Sequence, residues 1–140
     1  MIRTALIAGL AAAMLAACSA DARDAADADE TASFAGAVLE IGPQALAARI
    51  EAGETIQLID VRSAEEFAEG HLEGAINIPV DEFDPAALPD PEGASRVLYC
   101  RSDRRSGVAA ERLAASGAEG VHMDGGILAW EAVGLPVTRN

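Results

Sequence analysis

Cys100 closes an apolar run, Arg96-Val97-Leu98-Tyr99, and Arg101, Arg104 and Arg105 follow it within five residues. A helix-period pattern begins at Ser106. A thiol set between guanidinium groups and a helix N-terminus is in surroundings that favour its anion, the reactive form of sulfur. Cys100 through Ser106 (Cys100, Arg101, Ser102, Asp103, Arg104, Arg105, Ser106) therefore reads as an active-site segment. Charge alone also allows a solvated basic patch, and a cysteine at a strand end can be an inert buried one. The surrounding composition favours the active-site reading. The 140-residue chain carries a net charge of −13 and no lysine, and three of its ten basic groups stand directly after Cys100. The excess of acid argues against nucleic acid as a partner. Two histidines and one available cysteine point to no metal site, and no cofactor is expected.

The chain's other cysteine, Cys18, sits in a different setting. Met1-Ile2-Arg3 carries one positive charge, and Thr4 to Ala17 is uncharged and almost wholly apolar. A helical span needs roughly 20 residues, so this run is short for one and fits the apolar region of a signal peptide, residues 1–17. Leu15-Ala16-Ala17-Cys18 resembles the bacterial lipobox, which implies a lipid on Cys18; Ser19 follows. A plain secretory signal cut near Cys18 is the alternative. Residues 18–37 are expected to form a disordered acidic tether, with five acids between Asp21 and Glu30. The expected location is the cell envelope of a bacterium, the domain lipid-anchored to a membrane and facing the periplasm. With Cys18 acylated, Cys100 has no disulfide partner in its own chain.

Residues 38–140 must supply the elements that position Cys100. Val38–Ile41, Ile56–Val61, Ala75–Ile78, Arg96–Cys100 and Gly120–Met123 read as strands, from apolar and β-branched content. Helices are expected over Pro43–Ala52, from a Ser63-to-Glu66 capping box to Gly70, over Asp81–Leu88, Ser106–Ser116 and Gly126–Val133. Alternating strands and helices predict an α/β domain with a mainly parallel central sheet and helices on both faces. Ligands of such sheets bind beyond the carboxyl ends of the strands, where Cys100 falls.

Three separated motifs resemble the rhodanese-like sulfurtransferase family. They are Asp60-Val61-Arg62 with Glu66-Phe67 and Gly70-His71-Leu72-Glu73-Gly74-Ala75-Ile76-Asn77-Ile78-Pro79, then Tyr99-Cys100-Arg101-Ser102 to Arg105-Ser106, then Gly125-Gly126 with Trp130 and Pro136. The resemblance implies the rhodanese-like fold in its single-domain form. It also implies that Cys100 takes up a sulfane sulfur as a persulfide and yields it to a second nucleophile. Backbone N–H groups from Arg101 to Ser106 would cradle the sulfur. Arg101, Arg104 and Arg105 would hold an anionic donor such as thiosulfate, with Arg105 as the family's closing arginine or as a brace for the loop. The six residues from Cys100 to Arg105 match sulfurtransferases of this fold, where its phosphatases and arsenate reductases have seven. Asp103 stands where the family often has glycine. Aspartate tolerates positive φ better than most residues, but its charge opposes an anionic donor unless Arg101 or Arg104 pairs with it. His71 is read as structural, Asp60 and Arg62 as an internal ion pair supporting the loop, and Trp130 as core. His122 has no evident partner. The expected partners are a small anionic sulfur donor and a thiol acceptor, with the protein a monomer. A catalytically weak binding or redox-sensing module is the alternative from another class.

Overall fold

The computed structural model describes residues 36–139; the expected signal peptide, Cys18 and nearly all of the expected tether lie outside them. Five strands form one parallel sheet: β1 (Val38–Ile41), β2 (Ile56–Asp60), β3 (Ile76–Asn77), β4 (Ser95–Tyr99) and β5 (Gly120–Met123), in the order β1-β5-β4-β2-β3. Four α-helices connect or follow them: α1 (Pro43–Glu51), α2 (Ala64–Glu69), α3 (Arg104–Ala115) and α4 (Gly126–Ala132). The parallel α/β architecture expected from the sequence is the one observed. β4 lies at the centre, which puts the residue after it in the middle of the sheet's carboxyl edge.

Successive side chains of a strand point to opposite faces, and the core divides accordingly. On one face Leu58, Val97, Tyr99, Val121 and Met123 pack with Leu46 and Ala47 of α1 and with Ile127 and Trp130 of α4. On the other, Ile59, Leu98 and Cys100 pack with Ala109, Ala110 and Leu113 of α3. The alanines bring α3 close to the sheet. At Gly120 a Cβ would stand 2.3 Å from the carbonyl oxygen of Ala110, so this strand start admits only glycine without a shift of α3.

Two helix expectations need correction. Asp81–Leu88 holds only a 3₁₀ turn, Pro85–Ala87, opened by Asp84, whose Oδ1 accepts from Ala86 N at 3.0 Å. Pro85 has no N–H to donate and its ring excludes a continuous helix through this segment. The helix expected from Ser106 begins two residues earlier, at Arg104, so two of the three arginines after Cys100 belong to the first turn of α3 and not to the loop. Arginine is a good helix former, and Gly107 N already bonds the carbonyl of Asp103 at 3.0 Å.

Candidate active site

Val61 N donates to the carbonyl of Tyr99 at 2.9 Å, and the chain leaves β4 at Cys100, which is a free thiol only 1% exposed. Two devices hold the loop after it. From one side, α4 points its first amides at the loop: Ile127 N donates to the Cys100 carbonyl at 2.9 Å and Leu128 N to that of Arg101 at 3.1 Å. That approach needs glycine at 126, where φ is +58° and a Cβ would lie 2.5 Å from the Cys100 carbonyl oxygen. From the other side, α2 holds α3. Ser63 and Glu66 form the capping box foreseen in the sequence, and the Glu66 carboxylate also takes both Nη atoms of Arg105, at 2.7 and 2.8 Å. A bidentate pair of this kind fixes orientation as well as charge. The Arg105 guanidinium, against the opposing effect of burial, holds the Glu66 carboxyl down at about 2.

The sulfur's polar contact is with a side chain. Ser106 Oγ, fully buried in the first turn of α3, lies 3.4 Å from Cys100 Sγ and donates to the Asp103 carbonyl at 2.8 Å. Among the described residues, no backbone N–H of the loop is in hydrogen-bonding geometry with Sγ, so the amide cradle is not closed on the bare thiol. Arg101, Ser102 and Arg104 are exposed. Among the described residues neither Arg101 nor Arg104 has an acidic partner within salt-bridge distance. Arg101 also lines a cleft of about 440 Å³ with Arg62, Glu66, Leu128, Glu131 and Arg139.

Asp103 departs from expectation twice. Its φ of 165° lies outside the left-handed region, so the position does not ask for that freedom of glycine. Its carboxylate turns away from the arginines and places Oδ1 3.2 Å from His122 Nδ1. His122 in turn has Ser106 Oγ 3.4 Å from the same nitrogen and Glu40 Oε1 3.7 Å from Nε2. Glu40, Asp103 and His122 thus bring three ligand-type atoms within 4.8 Å of one another. The nearest contacts of the two carboxylates are to opposite nitrogens of the ring. The partnership escaped sequence reading because His122 lies outside the motifs, 19 positions from Asp103. The one available signal was a histidine in a strand otherwise made of apolar residues and glycine.

The supporting residues lie behind the loop. Asp60 is fully buried; its Oδ1 accepts from the Arg62 backbone N at 2.9 Å, and both carboxylate oxygens accept from Arg62 Nε at 3.0 Å. Burial works against the Arg62 guanidinium, but the bonds and charge of Asp60 outweigh it, and its pKa is raised. Arg62 Nη2 also donates to the Gly70 carbonyl at 2.6 Å, and Asn77 Nδ2 caps the carbonyls of Asp60 and Arg62 at 3.0 and 2.9 Å. Tyr99, beneath the Arg62 guanidinium at 5.9 Å, accepts from Leu72 N at 3.1 Å, and burial pushes its phenol up. His71 stacks on Phe67 with ring centroids 3.9 Å apart and exchanges backbone hydrogen bonds with Thr138. Trp130 packs in the core and donates Nε1 to the Pro136 carbonyl at 2.9 Å.

Comparison with known proteins agrees with this arrangement. The family model for the rhodanese-like domain matches residues 42–133. A sulfurtransferase of Allochromatium vinosum is 34% identical over 101 residues, covering 71% of this chain and 94% of that one. The thiosulfate sulfurtransferase PspE of Escherichia coli is 40% identical over 72 residues, 49% of this chain and 68% of that one. The crystal structure of a rhodanese-related protein from Thermoplasma volcanium superposes with a TM-score of 0.64 at 28% identity, over 73% of this chain and 99% of that one. Other curated relatives are longer: the chain spans 49% of an uncharacterised Synechocystis protein.

Proposed function

The chain belongs to the rhodanese-like domain family, and from that premise we propose that it is an envelope sulfurtransferase carrying sulfur as a persulfide on Cys100. The observation behind this reading is the placement of one free thiol at the carboxyl end of the central strand, against the first turn of α3, with the Ser106 hydroxyl at its sulfur. The name of the Escherichia coli relative suggests thiosulfate as donor. The Cys100 thiolate attacks the outer sulfur of thiosulfate; the S–S bond of the donor breaks and sulfite leaves with its electron pair. Arg101 and Arg104 face solvent and hold the donor's sulfonate charge. Arg105, engaged by Glu66, braces the loop. The acceptor, a thiolate or cyanide, then attacks the outer sulfur of the persulfide and Cys100 leaves as thiolate. The cleft lined by Arg101, Arg62 and Leu128 is the acceptor's approach. A lipid on Cys18 holds the domain at a membrane on the periplasmic side.

The test is the mass of the intact protein after incubation with thiosulfate. Cys100 gains about 32 Da, one sulfur, and loses it again to cyanide or a small thiol. Cys100→Ser shows neither change while keeping the wild-type circular dichroism. Absence of any adduct with thiosulfate and other sulfane donors overturns the reading in favour of a binding or redox-sensing module.

A further inference from the structure

His122 has no part in the transfer just described, yet it is built into the same site. The residue is 3% exposed, on β5 beside Leu98, against the start of α3, where a Cβ on Gly107 would stand 3.7 Å from the ring's Cε1. A buried imidazole needs polar partners. The charged groups facing it are Glu40 from β1 and Asp103 from the loop; Ser106 and Gly107 of α3 and Leu98 of β4 bring none. Asp103 Oδ1 is shielded from solvent and has no hydrogen-bond partner, although Nδ1 is 3.2 Å away. It is out of line for a hydrogen bond with the ring. Ser106 Oγ bridges the remaining gap, 3.4 Å from Nδ1 and 3.4 Å from Cys100 Sγ.

We propose that His122, backed by Asp103, takes the proton of Cys100 through the hydroxyl of Ser106. The proposal deepens the sulfurtransferase reading, since it supplies the thiolate that reading needs. The Ser106 hydroxyl turns about its Cβ–Oγ bond from the Asp103 carbonyl toward Nδ1. The proton on Sγ passes to Oγ as the hydroxyl proton passes to Nδ1. A thiolate and an imidazolium result, and no electrons change hands. The imidazolium forms between two carboxylates, and Asp103 Oδ1 gains the cation it lacks; a buried charge is tolerated when it is paired in this way. The same step explains how a carboxylate can stand in an anion-binding loop, because its charge is spent on the ring and not on the donor.

The test reads thiol reactivity without any sulfur donor. The full chain is alkylated with iodoacetamide across neutral pH, and the peptide bearing Cys100 is followed by mass, which separates it from Cys18. His122→Asn keeps a polar amide near the site of Nδ1 but accepts no proton. Its alkylation at about pH 7 is expected to be about tenfold slower, with the wild-type rate regained at high pH. Asp103→Asn, at a half-exposed position that leaves the core intact, is expected to be about threefold slower. The sign is diagnostic: a carboxylate that merely repelled the thiolate would speed alkylation when removed. A faster Asp103→Asn, or an unchanged pH profile in folded His122→Asn, overturns the relay. The expected slowing in a protein that forms no persulfide leaves the relay standing and removes the sulfurtransferase reading.

Discussion

Glu66 gives one carboxylate two tasks. Its Oε2 accepts from Ser63 N at 3.2 Å, closing the cap of α2, and both oxygens grip Arg105 in the first turn of α3. A cationic residue at a helix N-terminus opposes the helix dipole, and Glu66 offsets that locally. Its folded pKa of about 2 is below the ordinary value of roughly 4.3. The pair therefore contributes stability above the unfolded value and loses it as pH falls toward the folded one. The side chains are 35% and 27% exposed, so solvent screening limits the contribution to under ~1 kcal/mol. Urea unfolding of wild type and Glu66→Gln is expected to show a gap that is widest near neutrality and closes in acid. A gap that widens in acid contradicts this account of the pair. Glu66→Gln also frees Arg105 from its brace, so slower persulfide formation is expected at neutral pH, measured by the rate of sulfite release.

At the scale of elements, the loop after β4 is shaped by helices that sequence order does not place beside it. α4 follows Cys100 by more than twenty residues, yet its first amides bond the carbonyls of Cys100 and Arg101. The close approach rests on Gly126, whose φ of +58° and lack of a side chain are both required. Gly126→Ala is expected to destabilise the domain by about 2 kcal/mol, since it combines positive-φ strain with backbone overlap at the Cys100 carbonyl. It should slow persulfide formation beyond what lost folded fraction explains, because the carbonyls it displaces flank the thiol. Chemical denaturation and sulfite-release kinetics on the same sample separate the two effects. A variant destabilised but with wild-type turnover per folded molecule shows that α4 supports the fold without setting the loop. Gly120 offers the contrast: its close neighbour is Ala110, on α3 away from the thiol's carbonyl, so Gly120→Ala should act on stability first.

Across the whole molecule, the elements were legible where local pattern decides them. Ile56–Asp60 and Ser95–Tyr99 follow from apolar, β-rich runs, and the Ser63 cap from a four-residue box. The ion pair of Asp60 and Arg62 was legible because two residues of separation place both at one strand end. What stayed hidden joins distant segments: Glu66 to Arg105 across 39 positions, and Ser106 to His122 across 16. Those partnerships depend on strand order and helix placement, which local periodicity does not encode. Among the described residues no helix is long and apolar enough to cross a membrane, and the attachment we propose is through the residues before the domain. A lipid on Cys18 would supply it, each buried methylene adding about 0.8 kcal/mol, so that two or more acyl chains hold a small domain stably. The net charge of −13 gives no help in binding an anionic bilayer, so in this proposal the lipid would carry the attachment alone. Cys18→Ala should therefore move the protein completely from the membrane pellet to the soluble fraction of a bacterial host, at high and low salt alike. A variant that stays in the pellet, or leaves it only in high salt, shows that another surface does the holding.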